Sequence, residues 1–320
     1  MRTTLIAAVR DEGPYLLEWV AHHLTLGFDR IVIASNDSTD GTHELLDAMA
    51  AAGFITHYQH DVDPGKSPQA ESYKALRRHC AVDDTDWLMV MDVDEFLNIH
   101  TGDHSLQALL HTTDADIIAL NSATFGAQGP GRWRPKPVCA QFHWRMPTQH
   151  AASSPVKSLT RDPARFREIH NHSLVGFWGD TLTYIDAAGA QHPIDLAIPL
   201  WKQLRNFPPA ACSHDLAQYN HYAVKTYDTY LARRDRGRGA GKMGDPNDRH
   251  TDDYFRDRAE GTVHDLTIQR YAPRVLAQML AMLAHPTIAT WQEKCERRYR
   301  RKIRGYRAQM DASGAPASAE

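Results

Sequence analysis

Cysteine is scarce in this chain of 320 residues, and its four cysteines stand far apart, at positions 80, 139, 212 and 295. No two of them have the CxxC spacing, which argues against a zinc ribbon or a disulfide framework. Long apolar runs are also missing, since no stretch approaches the roughly 20 residues that a membrane-spanning helix needs. Acidic residues follow the start too early for a secretory signal. We therefore expect a reduced, cytoplasmic protein.

An excess of charge of one sign is lacking as well. The chain has 36 Lys and Arg against 39 Asp and Glu, a formal net charge of −3. The chain therefore lacks the net positive charge that is typical of nucleic-acid-binding proteins, and we expect no nucleic-acid partner. Hydrophobic residues are present in quantity, at 42%, which is enough for a substantial core and excludes a disordered chain.

The first 125 residues alternate between short apolar runs and segments with helical spacing. Continuous apolar strands between helices are typical of a parallel sheet buried on both faces. We therefore predict an α/β fold with a doubly wound, mostly parallel sheet and helices on both faces. The predicted strands are Thr3–Val9, Arg30–Ala34, Phe54–Tyr58, Trp87–Met91 and Ile117–Leu120, and the predicted helices include Tyr15–Leu26 and Pro68–Cys80.

The pattern changes after Gly126, where Pro, Gly, Trp and Arg interrupt the periodicity and short mixed strands are expected up to about Pro209. Helices are predicted at Ala217–Arg234, Pro273–Leu283 and Gln292–Arg307. No repeat or clean linker is visible, so we predict one domain with C-terminal helical additions. Its parts are residues 1–125, 126–267 and 268–310, followed by a disordered tail at 311–320.

The strongest motif is Asp92-Val93-Asp94-Glu95, at the end of a fully apolar predicted strand. Residues two apart on an extended chain project to the same side, so Asp92 and Asp94 should point together while Val93 faces the core. Two carboxylates on one face suit Mg²⁺ or Mn²⁺, whose coordination is completed by water and substrate phosphates. The alternative is a solvated acidic turn. Crowded charges at the rim of a buried sheet cost stability without a cation, which favours the metal site.

Two further polar loops follow predicted strands. The segment from Asn36 to Thr42 is explained structurally as a turn with a helix cap at Asp40 or Gly41. Its functional interpretation is that carboxylate and amide groups there hold a base or a ribose. Arg10-Asp11-Glu12 follows the first strand. Ligands of such sheets bind outside the carboxyl ends of the strands, where all three loops should converge.

These motifs, in this order, resemble glycosyltransferase family 2, in particular its bacterial branch with a DxDEF signature, which is related to family 92. The resemblance covers most of residues 1–238 and implies a GT-A fold, a nucleotide-sugar donor that is most often UDP-linked, a Mn²⁺ or Mg²⁺ ion and an inverting displacement. The motifs are Arg10-Asp11-Glu12, Asn36 to Thr42, Gln69 with Tyr73, Met91 to Leu97, Asn121 with Phe125-Gly126, Lys157-Ser158, His170-Asn171-His172 and Asn220 to Tyr227.

The resemblance also implies roles for single residues. Asp94 would bind the metal directly, and Asp92 would bind the donor ribose or share the metal. Asp37 would read the nucleobase, and the donor site would also include Arg10, Glu12, Gln69, Lys225 and Arg234.

The remaining roles rest on weaker signals. His170 is either structural or a third metal ligand, since imidazole is an acceptable ligand for Mn²⁺, and His221 has the same two interpretations. The acceptor hydroxyl needs a general base, commonly a carboxylate. Glu95 is one candidate, although it stands too close to the metal pair to be an obvious choice, and Asp180 is the other.

The segment Lys225–Gly241 carries five cations, Lys225, Arg233, Arg234, Arg236 and Arg238, and is rich in glycine towards its end. One interpretation is a solvated helix end. The other is a glycine-hinged lid that closes cations over the donor diphosphate. Trp133, Trp144 and Trp178 lie where acceptors bind in such folds, and either sugar stacking or core packing explains them.

The basic helix Gln292–Arg307 could be a solvated face, a partner surface or a contact with the inner face of the membrane. Together these features predict a metal-dependent transfer from a nucleotide sugar to a sugar or glycolipid acceptor, in polysaccharide or glycoconjugate synthesis. A nucleotidyltransferase is one alternative, but the loop after the first strand is too acidic for its phosphate loop. A non-catalytic sugar-binding module is another, and it would be expected to have lost the aspartates.

Overall fold

Alternating strands and helices occupy the first part of the chain in the computed structural model, which describes residues 1–237, 239–243 and 249–313. The strands are β1 Thr3–Val9, β2 Arg30–Ser35, β3 Thr56–Gln59, β4 Trp87–Val90, β5 Glu95–Ile99, β6 Ile117–Thr124, β7 Trp144–Arg145, β8 Val156–Arg161, β9 Phe166–Ile169, β10 Leu174–Phe177, β11 Thr183–Ile185, β12 Gln191–Pro193, β13 Ala217–His221 and β14 Val263–His264. The helices are α1 Gly13–Leu26, α2 Thr42–Ala51, α3 Pro68–His79, α4 Leu106–Leu110, α5 Leu200–Gln203, α6 Tyr227–Arg236, α7 Asp252–Ala259, α8 Ala272–Leu283 and α9 Pro286–Ser313.

The central sheet has the strand order β12-β11-β6-β8-β4-β1-β2-β3, and β13 and β5 extend it from β6. β1 lies parallel to both β2 and β4, and β2 is parallel to β3. β8 runs antiparallel between β4 and β6. The sheet is therefore parallel where the first four strands meet and mixed beyond them. The predicted α/β fold, with C-terminal helices, is confirmed.

The predicted helix Ala217–Arg234 is wrong over its first half. Residues Ala217–His221 form β13, which pairs with β5 on one side and β6 on the other. The helix starts only after Lys225, whose φ of +49° turns the backbone into the left-handed region, with Thr226 at the N-cap of α6. Strand β5 directly follows the aspartate motif, so the chain turns at Asp92–Asp94 and enters the sheet again.

Helix α9 is longer than the predicted Gln292–Arg307, and it packs against α1, α2 and α6. Cys295, Tyr299 and Ile303 form its buried face. The helix includes Asp311 to Ser313, the first residues of the expected disordered tail, and residues 314–320 lie outside the described part of the chain. Among the described helices, none has both the length and the apolar character needed to cross a membrane.

Candidate functional site

A cleft of about 160 Å³ opens at the carboxyl ends of β1, β2 and β4. Loops after all three strands contribute to it, as the sequence predicted, because the ends of parallel strands meet at one edge of the sheet. The other wall comes from α6 and the residues after it. The lining residues are Ala8, Val9, Arg10, Glu12, Asn36, Pro68, Gln69, Asp92, Val93, Asp94, Asn171, Arg233, Arg236, Gly237, Gly239, Ala240, Arg249 and His250.

Asp92 is fixed by two side chains at the floor of this cleft. Gln69 Nε2 donates to Asp92 Oδ1 at 2.7 Å, and Lys157 Nζ donates to Asp92 Oδ2 at 3.2 Å. The same ammonium lies 2.9 Å from Glu95 Oε2, and the Lys157 side chain is only 1% exposed. Burial alone would lower the pKa of Lys157, but Asp92 and Glu95 raise it above its ordinary value. Lys157 therefore stays charged and holds both carboxylates.

Glu95 lies behind Asp92 and does not line the cleft. Its Oε2 accepts a hydrogen bond from the Asp92 backbone N–H at 2.8 Å. Burial raises the pKa of Glu95 to about 8, with the nearby charges of Asp92 and Asp94 adding to the effect and Lys157 opposing it. A carboxyl group tied in this way supports the turn, and it has no open path to an acceptor hydroxyl in the cleft.

Asp94 is paired with the guanidinium of Arg233, which also donates to the Ala223 carbonyl at 2.8 Å. His221 Nε2 lies 3.6 Å from the same Asp94 oxygen. Burial would raise the pKa of Asp94, but Arg233 and His221 hold it well below its usual range. Asp94 is therefore an ionised carboxylate in the cleft, balanced by a cation of the chain itself.

A second ion pair joins α6 to the loop after β1. Arg236 pairs with Glu12 and donates to the Arg10 carbonyl at 2.8 Å. Beyond the helix, the Gly239 carbonyl accepts hydrogen bonds from the Gln69 backbone N–H at 3.0 Å and from Ser67 Oγ at 3.2 Å. The basic segment thus covers the cleft and is not merely a solvated helix end.

Other predicted donor residues lie outside the cleft. Arg234 points away and pairs with Asp252 at 2.8 Å, and Lys225 lines a neighbouring cavity. Asp37 is exposed, and its carboxylate accepts a hydrogen bond from Asn36 Nδ2 at 2.8 Å. Asn36, and not Asp37, lines the cleft. Arg238 falls outside the described residues.

The loop after β2 also has the structural role that its sequence indicated. Asp40 accepts hydrogen bonds from the backbone N–H groups of Thr42 at 2.9 Å and Gly13 at 3.0 Å. One buried carboxylate thereby serves the first turns of both α1 and α2.

The two weakest predicted site residues are exposed and do not line the cleft. Asp180 is one of them. His170 is the other, with its ring 6.0 Å from that of His172. His172 Nδ1 donates to the Val156 carbonyl at 2.8 Å, and burial lowers its pKa to about 3, as expected for a neutral structural histidine. Only Asn171 of this motif lines the cleft.

Within the described residues, no group of three or more His, Cys, Asp or Glu side chains is arranged to hold a metal ion. Mg²⁺, however, needs only one or two protein carboxylates when water and substrate phosphates complete its shell. Asp92 and Asp94 both line the cleft and offer that donor set. A metal would have to compete with Arg233 for the Asp94 carboxylate.

Three cations of the site had no individual role in the sequence analysis: Arg233 and Arg236, which line the cleft, and Lys157, which is buried behind Asp92. Arg233 and Arg236 belonged to the predicted basic segment, but their spacing could not show which cations face inward. Lys157 belonged to the motif series without a role. Its partners Asp92 and Glu95 stand more than 60 residues earlier, so only the pairing of β8 with β4 reveals it.

In the comparison with known families, residues 9–192 match the model described as glycosyltransferase family 92. A family 92 protein of Oryza sativa subsp. japonica is 27% identical over 174 residues, covering 52% of this chain and 28% of that protein. One of Arabidopsis thaliana is 30% identical over 102 residues, covering 31% and 16%. The chain thus spans less than a third of the length of these relatives.

Solved structures give only loose superpositions. S. aureus TarS 1–349 in complex with UDP has 15% identity and a TM-score of 0.33, covering 51% of this chain and 47% of that one. The same protein in another crystal structure covers 97% of this chain, with 13% identity and a TM-score of 0.34. These scores are too low to transfer any residue role.

Proposed function

The chain belongs to glycosyltransferase family 92, and we propose that it transfers a sugar from a nucleotide sugar, with a UDP-sugar as the first candidate, to a hydroxyl of a sugar or glycolipid acceptor. One observation carries the proposal: Asp92 and Asp94 line the same cleft as Arg233 and Arg236, at the carboxyl ends of the parallel strands. Carboxylates can hold a cation that contacts phosphate oxygens, and guanidinium groups bind phosphates in a bidentate manner.

A divalent ion, Mn²⁺ or Mg²⁺, would be held by Asp92 and Asp94 and would stabilise the charge that develops on the leaving diphosphate. Lys157 and Gln69 orient Asp92 for this role through hydrogen bonds of 3.2 and 2.7 Å. We assign the nucleoside to the part of the cleft that Asn36 and Glu12 line. An inverting displacement is part of the proposal and comes from the family resemblance.

Arg233 and Arg236 would serve the diphosphate in this scheme. Their guanidinium groups neutralise Asp94 and Glu12. A cation held by Asp94 would free Arg233 for the negative charge of the diphosphate nearby. The segment around Gly239, which already contacts Gln69 and Ser67, would tighten over the donor and keep water from the reactive bond.

Limited trypsin digestion tests this closure. Cleavage after Arg233 and Arg236 should be slower with UDP and Mn²⁺ than without ligand. UDP or Mn²⁺ alone should protect less, since release of Arg233 requires a cation at Asp94 and its new position requires the diphosphate. Equal cleavage in all samples would contradict a donor-ordered lid.

Calorimetric titration with UDP and Mn²⁺ tests the donor site. We expect metal-dependent UDP binding that Asp94→Asn removes, while the matched variant Asp180→Asn, at an exposed position outside the cleft, retains it. Tighter binding of nucleoside triphosphates than of UDP would favour a nucleotidyltransferase instead. Hydrolysis of a panel of nucleotide sugars then identifies the donor, and a sugar-binding module would bind without hydrolysing any of them.

A further inference from the structure

A second cavity, of about 170 Å³, lies beside the cleft. Glu12, Arg233 and Arg236 line both spaces, so their ion-paired side chains form the boundary between them. We call it the cationic cavity, and its own lining comes from α1, α6 and α9 and the loops beside them. The residues that line it and not the cleft are Asp11, Tyr15, Thr39, Asp40, Ala223, Lys225, Thr229, Ala232, Arg298, Tyr299 and Lys302.

Lys225 is a buried ammonium group in this cavity, and the residue is only 7% exposed. Its Nζ lies 4.7 Å from the centre of the Tyr15 ring. In the described part of the chain it has no ion pair with an acidic side chain. Of the carboxylates that act on it, Asp94 and Glu12 are already paired with Arg233 and Arg236. The third, Glu18, accepts hydrogen bonds from the backbone N–H groups of Val138 and Cys139. Burial lowers the pKa of Lys225. A buried charge without a partner costs several kcal/mol, and an anion bound beside the ammonium would offset that cost.

Two more cations reach the cavity from α9. The Arg298 guanidinium lies 5.8 Å from the centre of the Trp291 ring, and Lys302 is half-buried. Neither pairs with a carboxylate among the described residues.

In the described part of the chain, none of the acidic residues of the cavity forms an ion pair with these three cations, and Glu12 pairs with Arg236 instead. Asp40 accepts from backbone N–H groups of α1 and α2. Asp11 accepts from the Thr39 N–H at 2.7 Å. The lining residues of the cavity include more cations than carboxylates: five, Lys225, Arg233, Arg236, Arg298 and Lys302, against three, Asp11, Glu12 and Asp40, so positive charge is in excess.

We propose that the cationic cavity binds a phosphate-type oxyanion carried by the acceptor, at the same time as the donor occupies the cleft. The inference rests on the proposed transferase function, because only a transferase has an acceptor substrate. Phosphate oxygens suit one buried and two rim cations, and Tyr15, Tyr299 and Ala232 offer apolar walls for the organic part of the molecule. None of Asp92, Asp94 and Gln69 lines this cavity, which separates it from the donor site.

Inorganic phosphate is the probe, titrated by calorimetry into the 320-residue chain with EDTA and then with saturating UDP and Mg²⁺. We expect binding in both conditions. Lys302→Met, at the rim, should weaken phosphate binding at least about tenfold, as expected for loss of one charge-assisted contact, and leave UDP binding unchanged. Arg304→Met, at an exposed position of α9 outside the cavity, is the matched control and should bind phosphate like the parent.

Lys225→Met should abolish phosphate binding, and circular dichroism checks that this variant folds. If it does not fold, Lys302→Met decides alone. Phosphate that competes with UDP would show that the anion belongs to the donor diphosphate and would overturn the separate site. No phosphate binding by a protein that binds UDP, or equal binding by the Lys302→Met variant, would also overturn it. A protein that binds phosphate but no UDP would instead contradict the proposed donor.

Discussion

Arg233 pairs with Asp94, a residue 139 positions earlier in the chain. The contact joins the strongest acidic motif of the sequence to its basic segment, and it neutralises the carboxylate to which we assign the proposed metal ion. It also joins the second half of α6 to the segment that follows β13, because Arg233 donates to the Ala223 carbonyl as well. One guanidinium thus links the floor of the cleft to its cover.

Removal of this guanidinium should favour a metal ion. We expect Arg233→Met to bind Mn²⁺, without nucleotide, about tenfold more tightly than the parent, because Asp94 loses a competing cation. Electron paramagnetic resonance of free Mn²⁺ measures the change. Arg234→Met is the control, since Arg234 pairs with Asp252 outside the cleft. Unchanged Mn²⁺ affinity in the Arg233 variant would show that Asp94 is not a metal ligand.

Lys157→Met should destabilise the fold by about 3–5 kcal/mol, because Asp92 and Glu95 lose their shared cation at a buried position. Urea unfolding measures the loss. The double variant Glu95→Gln/Lys157→Met should recover part of it, since one of the two uncompensated carboxyl groups is then neutral. A double variant no more stable than the single one would contradict the assigned role of Lys157.

Acid should destabilise the protein through buried histidines. Burial lowers the pKa of His22 from 6.5 to about 4, although its Nε2 donates to the Leu97 carbonyl at 2.8 Å. The unfolded chain binds this proton near pH 6.5 and the folded protein only near pH 4, so the free energy of unfolding falls as the pH is lowered between those values. The contribution is about 1.4 kcal/mol per pH unit, or ~3 kcal/mol in all.

The variant His22→Gln isolates this effect, since glutamine keeps an N–H donor for Leu97 and does not titrate. Its free energy of unfolding should fall less steeply with decreasing pH than that of the parent. His111→Gln, at an exposed position, should leave the slope unchanged. Equal slopes for parent and His22→Gln would show that His22 does not contribute.

Gly41→Ala should lower the melting temperature more than Gly53→Ala. Both glycines have positive φ, +103° and +80°, so both variants carry the left-handed penalty of roughly 1–2 kcal/mol. At Gly41 the new Cβ would also lie 2.9 Å from Cys295 Sγ on α9, whereas at Gly53 it meets nothing within 4 Å. The difference between the two melting temperatures, measured by thermal unfolding, gives the effect of the steric overlap with Cys295 apart from the backbone strain. Equal decreases would show that α9 shifts to accommodate the new Cβ without loss of stability.

The strands β1, β2, β4 and β6 could be predicted because each is a continuous apolar run that a buried sheet requires. β13 could not. Its Gln218 and Asn220 are fully buried but polar, and Gln218 Nε2 donates to Asn220 Oδ1 at 2.8 Å and to Asp265 at 3.2 Å. Partners this far along the chain decide whether buried amides are tolerated, and no local pattern contains them.

The sequence by itself determined the α/β fold and the place of Asp92 and Asp94 at the carboxyl end of an apolar strand, because both follow from local hydrophobic patterns. The tertiary structure alone decided which charges meet there. The helical spacing of the basic segment could not show that Arg233 and Arg236 face inward while Arg234 faces Asp252, nor that Lys225 lies buried in a second cavity. Charge pairing depends on distances of a few ångströms between residues far apart in the chain, and only the packing of α6 and α9 against the sheet sets those distances.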